Sequence, residues 1–184
     1  MISAGTSNGE IAPASPRVRA RLTGGVYLFY FVSAILAEIV ANRGHDNYGL
    51  ALNLVSAAFY VAVTVLFFYL FKPVNATLSY LAAIVSLAGC AITVLNLFHL
   101  ASRISPLLFF GPYCLLLGYL IFRSTFLPRV LGALMMLAGL GWLAFLVLSP
   151  TSRAIPYVEG LGILAEGLLM LWLLVLGVNP RRMT

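Results

Sequence analysis

Six mainly apolar runs follow one another with only short connections between them, at 22–41, 50–71, 76–100, 104–124, 127–148 and 157–178. About 20 such residues, coiled at about 1.5 Å rise each, match the hydrocarbon thickness of a bilayer. No water is available there to satisfy backbone N–H and C=O groups, so each run must close its own hydrogen bonds as a helix. The expected fold is therefore all-α: a polytopic membrane protein, a bundle of six transmembrane helices. Charged residues make up 9% of the chain, against about 25% in an ordinary soluble domain. Little sequence remains from which a soluble catalytic domain could be built.

The first residues, 1–16, are rich in Ser, Gly, Ala and Pro and lack periodicity, so they read as a disordered tail before a single six-helix domain at 17–184. Arg17, Arg19 and Arg21 resemble the charged start of a signal peptide. The apolar run behind them is too long for one, and an uncleaved first helix is expected. The net charge of +6 does not point to nucleic acid, because the basic residues flank the apolar runs and form no continuous stripe. A cytoplasmic start collects Arg17, Arg19, Arg21, Lys72, Arg123, Arg129, Arg181 and Arg182 inside and leaves Arg43, Arg103 and Arg153 outside. That distribution predicts both termini in the cytoplasm and a multi-pass protein of the inner (plasma) membrane, with the lipid bilayer as its partner.

Gly44, Gly49, Pro73, Pro106, Pro128, Pro150, Pro156 and Pro180 punctuate the runs where turns are needed. A shift of fifty residues superposes Tyr69-Leu70 on Tyr119-Leu120 and Leu87-Ala88-Gly89 on Leu137-Ala138-Gly139, as a repeated two-helix unit would. Leu, Ala and Gly dominate every run, and coincidence gives the same match. Cys90 and Cys114 lie inside runs, which does not suggest a disulfide framework.

Acidic residues in or beside apolar runs are the costly feature, since a charge at a helix centre costs roughly 2.5–3.5 kcal/mol on insertion. Glu38 falls near the outer end of the first run. Glu159 and Glu166, seven residues apart, share one face of the last, with Glu166 the deeper. Asn96, His99 and Arg103 share a face of the third run, Asn53 begins the second, and Tyr113 lies about 13 Å into the fourth at 1.5 Å per residue. All of these map to the outer half, and polar groups should turn inward, away from hydrocarbon. The candidate ligand- or proton-binding set is Glu38, Glu166, His99, Arg103, Asn53, Asn96 and Tyr113. Glu159, at the rim, has a simple explanation in the helix dipole.

Two readings of this set stay open. In one it is structural: Glu38 or Glu166 pairs with Arg103 or His99, and the amides of Asn53 and Asn96 bridge helices. In the other, the set encloses an outward pocket for a small polar ligand, an ion or a proton. Tyr27, Tyr30, Trp142 and Trp172 are expected to fill the core or anchor interfaces. Gly132 and Gly139, one heptad apart, should allow close helix approach, with Met135 and Met136 filling gaps. The sequence contains no Gly-x-Ser-x-Gly elbow, His-Glu-x-x-His or glycine-rich phosphate loop. With His45 and His99 the two histidines, a metal site from His99, Glu38 and Glu166 is a weak alternative. No cofactor is expected. An intramembrane enzyme would need Tyr113, His99 and Glu166 within about 3 Å of one another or joined through a water.

The segment Phe109-Phe110-Gly111-Pro112-Tyr113, with Gly118-Tyr119-Leu120, Arg123-Ser124 and Leu127-Pro128-Arg129 behind it, resembles the bacterial membrane family catalogued as domain of unknown function 4386. The closing run from Ala165-Glu166-Gly167-Leu168 to Gly177 is similar to that family's last helix, with Glu166 at its recurrent acid. Where members commonly carry His, this chain has Tyr113. The resemblance implies a six-helix membrane protein of unassigned activity and supplies no reaction. The expected function is non-enzymatic, a transporter-like or sensory protein with an outward polar pocket. The alternative is a membrane scaffold or assembly partner, in which the buried polar groups only fix packing.

Overall fold

A computed structural model describes residues 15–101, 103–148 and 152–178. It contains six α-helices: α1 (Pro16–Asn42), α2 (Asp46–Phe71), α3 (Ala76–Leu97), α4 (Leu107–Arg123), α5 (Arg129–Ala144) and α6 (Ile155–Val175). Among the described residues there is no strand. Helices α1, α2, α3 and α6 are long and apolar enough to cross a membrane, while α4 and α5 are apolar but shorter, at 17 and 16 residues. Most of the tail assigned to 1–16 lies outside the described residues. Its last residues do not: α1 already begins at Pro16, with Ser15 accepting a hydrogen bond from Val18 N at 3.4 Å. Proline is suited to this first position because its missing N–H would go unsatisfied there in any case.

Each helix packs on the next, and α6 returns to α1, so the six close into a ring. Two junctions set its tightness. On the α4–α5 seam Gly111 lies opposite Gly139 and Gly118 opposite Gly132; a Cβ on Gly132 would stand 2.6 Å from both Gly118 O and Phe122 N. Backbones meet there because four glycines, one heptad apart on each helix, present no side chain. On the α1–α6 seam Gly24 lies against the backbone of Leu173 and Leu174. One turn away, Arg21 Nη2 donates to Val175 O at 2.8 Å. This guanidinium satisfies a carbonyl at the end of α6, where a cation suits the dipole. The start of α1 and the end of α6 therefore share one end of the bundle.

That end, which carries Lys72, Arg123 and Arg129, is closed by aromatic packing. Phe71 stacks on Phe67 at 5.9 Å and on Phe126 at 5.8 Å, with Leu127 and Val178 buried beside them. Phe126, in the α4–α5 turn, thus plugs the ring at the C-terminal end of α2. Leu, Ile, Val and Phe side chains such as Phe29, Ile35, Ile84, Leu140 and Ile163 cover the outside. Exposed apolar surface on this scale suits hydrocarbon and not water.

The third run ends sooner than 76–100 predicts. Helix α3 stops at Leu97, and His99 takes φ +58 in a Schellman closure: His99 N donates to Asn96 O and Leu100 N to Leu95 O. The chain turns away there, and the helical face expected to carry Asn96, His99 and Arg103 together is broken. Helix α1 ends the same way, with Gly44 at φ +80. The fifth run is likewise shortened, its helix giving way to turns after Ala144.

Candidate functional site

The deepest acid has an unexpected partner. Glu166, 4% exposed, accepts a hydrogen bond from Tyr27 Oη at 2.7 Å, with Tyr27 itself 1% exposed. The bond ties α6 to α1 at mid-bundle. The Trp142 indole N–H lies close to the same carboxyl without reaching hydrogen-bond geometry, and it is buried with no partner among the described residues. Gly162, one turn before Glu166, makes room for that indole by lacking a side chain where the Trp142 ring rests.

Around Tyr27 the interior is aromatic. Its ring contacts Tyr30, Phe31, Tyr60 and Phe67, and Tyr60 in turn contacts Tyr113 at 6.2 Å and Phe110 at 5.5 Å. Beside this cluster Thr64 and Ser86 hold a 2.6 Å hydroxyl contact between α2 and α3. Thr64 donates its own hydrogen to Tyr60 O at 3.0 Å, which leaves Ser86 as the donor of the shared bond.

A cavity of about 280 Å³ lies between α1, α2, α3 and α4, in the half of the bundle away from the Phe71–Phe126 closure. Its polar lining comes from Asn53, Ser56, Tyr60, Ser86 and Thr93, with Tyr30 and Cys90 beside them. Among the described residues that line it there is no Asp, Glu, Lys or Arg. A shallow apolar groove of about 570 Å³ on the outer surface of α2 and α3 shares Ala57 and Cys90 with it. The cavity and the groove meet at two small side chains, Ala57 and Cys90.

Against this geometry the candidate residues divide. Glu166 and Tyr113 are buried in the interior, and Asn53 lines the cavity while its Nδ2 donates to Gly49 O at 3.0 Å. Asn96 donates to Ile104 O at 3.0 Å and so ties the end of α3 to the α3–α4 connection. Glu38, His99 and Arg103 are exposed, and Glu38 accepts from Asn42 Nδ2 of its own helix at 3.0 Å. Glu159 is exposed as well. The expected convergence of all these groups does not form, because Glu38 points off its helix away from the ring and the early end of α3 carries His99 and Arg103 outward. The proposed pairing of Glu166 with Arg103 or His99 is replaced by the bond to Tyr27. The trio Tyr113, His99 and Glu166 is not assembled, nor is a metal site from His99, Glu38 and Glu166: the described residues contain no cluster of three or more such ligands. Sequence reasoning missed Tyr27 as a polar partner and passed over Ser56, Tyr60, Thr64, Ser79, Ser86 and Thr93. Their signal was spacing: 53, 56, 60 and 64 share one face of α2, and 79, 86 and 93 share one face of α3.

The profile of the family described as domain of unknown function (DUF4386) matches residues 101–177, from the α3–α4 connection through α6. An uncharacterized protein of Archaeoglobus fulgidus is 30% identical over 127 residues, which is 64% of this chain and 76% of the relative. The chain belongs to the DUF4386 family. Its likeness reaches an archaeal protein and is not confined to bacteria. The family match spans Tyr113, Trp142 and Glu166, while most of the cavity lining lies before it. No solved structure matches the chain.

Proposed function

We propose that this DUF4386 member is a six-span protein of the plasma membrane, both termini cytoplasmic, that binds a small neutral hydrogen-bonding molecule in the α1–α4 cavity in a transporter-like or sensory role. The single observation carrying this reading is the cavity itself, mainly apolar in its lining, with a few hydroxyl and amide groups and no formal charge. An ion would need a counter-charge or a cage of oxygen ligands to offset its lost hydration, whereas a neutral alcohol, amide or ketone needs only hydroxyl and amide partners. Ring closure supports membrane crossing by α4 and α5 despite their length, since each lies between neighbours long enough to span. The basic residues at the α1-start end support a cytoplasmic assignment for it.

A panel of short alcohols, amides and cyclic ketones tests this in purified protein. A binder present at 100 times its Kd adds about 2.7 kcal/mol to stability. Ser56→Leu, which fills the cavity, should abolish that gain. A panel that stabilises neither protein, or both equally, refutes the binding reading.

A scaffold would offer lipid-facing or glycine-lined surfaces to a partner. The α4–α5 glycines are instead used inside the ring, and within the helices Gly25, Gly160 and Gly167 have open space before them, as does Gly44 in the α1–α2 turn. Co-purification of one partner in fixed stoichiometry, lost on Gly160→Leu, would favour that alternative.

A further inference from the structure

A second, much smaller void lies between α2, α3 and α4, on the side of the Phe71–Phe126 closure. It measures about 10 Å³ and is bounded by Thr64, Ser79 and Tyr113 together with Phe67, Phe71 and Leu117. Two of its polar walls are unsatisfied: Tyr113 Oη lies close to the Thr64 hydroxyl without reaching hydrogen-bond geometry, Ser79 Oγ has no hydrogen-bond partner among the described protein groups, and each residue is 2% exposed. Orphaned hydroxyls this deep are costly, and two facing one void share a common remedy. A void of roughly 10–15 Å³ is the smallest that holds one water, and a buried water needs two to four polar partners.

We propose that Tyr113, Ser79 and Thr64 hold one internal water. It accepts from the Tyr113 and Ser79 hydroxyls and donates to the free lone pair of Thr64 Oγ1, whose own hydrogen is committed to Tyr60 O. Because Thr64 also accepts from Ser86, and Ser86 lines the ligand cavity, the water completes a hydrogen-bonded thread from that cavity to Ser79. Ser79 N donates to Asn75 O at 3.0 Å, so the thread ends one helical turn from the α2–α3 turn. Phe67 and Phe71 stand beside this end. The polar path is therefore continuous through the middle of the bundle and stopped by aromatic rings short of the basic end. This site stands whether or not the larger cavity binds a ligand.

The sign of a stability change decides between a hydrated and a dry void. Tyr113→Phe removes a single oxygen. From a dry void that removal relieves an unsatisfied group and leaves the melting temperature unchanged or raised. With the water present it strips one of three partners and lowers the melting temperature by about 2–4 °C, the shift for about 1 kcal/mol in a chain this long. Ser79→Ala made in the Tyr113→Phe background should then lose less than it does in the natural chain, because both hydroxyls act on one molecule. A crystal or cryo-electron structure at about 2 Å should place an oxygen 2.7–3.2 Å from Tyr113 Oη, Ser79 Oγ and Thr64 Oγ1. A Tyr113→Phe protein at or above the natural melting temperature, or a void without density at that resolution, overturns the assignment.

Discussion

Replacing Tyr27 with Phe tests the best-defined polar contact in the bundle. The substitution deletes the Oη that donates to Glu166 at 2.7 Å and leaves the ring, with its contacts to Tyr60 and Phe67, in place. Almost no volume is lost, so a cavity contributes little. What remains is a buried carboxyl without its donor. Leaving a buried polar group unsatisfied costs about 1–3 kcal/mol. Taking about 2 kcal/mol, and about 2–4 °C per kcal/mol for a chain of this length, the melting temperature should fall by about 4–8 °C. Thermal unfolding in a mild detergent, followed by tryptophan fluorescence, reads this directly. Glu166→Leu should also destabilise, because it orphans the Tyr27 hydroxyl. The double variant should lose clearly less than the two single losses added, since neither partner is then left behind. Additive losses, or a Tyr27→Phe protein within about 1 °C of the natural chain, would refute the view that this bond matters to the fold.

Gly132→Ala should cost about 2 kcal/mol or more, since its Cβ meets backbone at 2.6 Å that cannot yield, as judged from overpacked sites in general. Gly160→Ala, with open space before it, should be neutral or stabilising by about 0.5–1 kcal/mol; the paired melting curves test the α4–α5 seam. Phe71→Ala should lose about 3–5 kcal/mol as a buried aromatic truncation. It should also raise water permeability in reconstituted vesicles, measured by stopped-flow light scattering, because it opens the Phe71–Phe126 closure.

The helical content was legible because the strongest constraint, hydrocarbon around the backbone, acts on composition alone. Six runs yield six helices, and Gly132 with Gly139 marks a close seam as their heptad spacing suggests. The end of α3 was not legible. His99 in a left-handed closure does a job usually given to Gly, so nothing in its identity announced the stop, and the face shared by Asn96, His99 and Arg103 was drawn through a turn. The candidate site was half legible. Glu166 stood out because a charge in an apolar run is expensive, but its partner Tyr27 was indistinguishable from an aromatic core residue until the ring brought α1 against α6. The small hydroxyls suffered the opposite fate. Serine and threonine as residue types are so readily accommodated in helices by bonding to their own backbone that the shared faces of Ser56, Ser79, Ser86 and Thr93 drew no notice, although those faces line both voids.

Accessibility from the two sides of the membrane tests the account at its centre. In a Cys90→Ala, Cys114→Ala background, single cysteines at Asn53 and Ser79 are exposed in intact cells to a membrane-impermeant thiol reagent. The account predicts labelling of Asn53→Cys from outside and protection of Ser79→Cys from both sides, in cells and in inverted vesicles. Labelling of Asn53→Cys from the cytoplasmic side alone, or of Ser79→Cys from either, would contradict a cavity that faces outward above an aromatic closure.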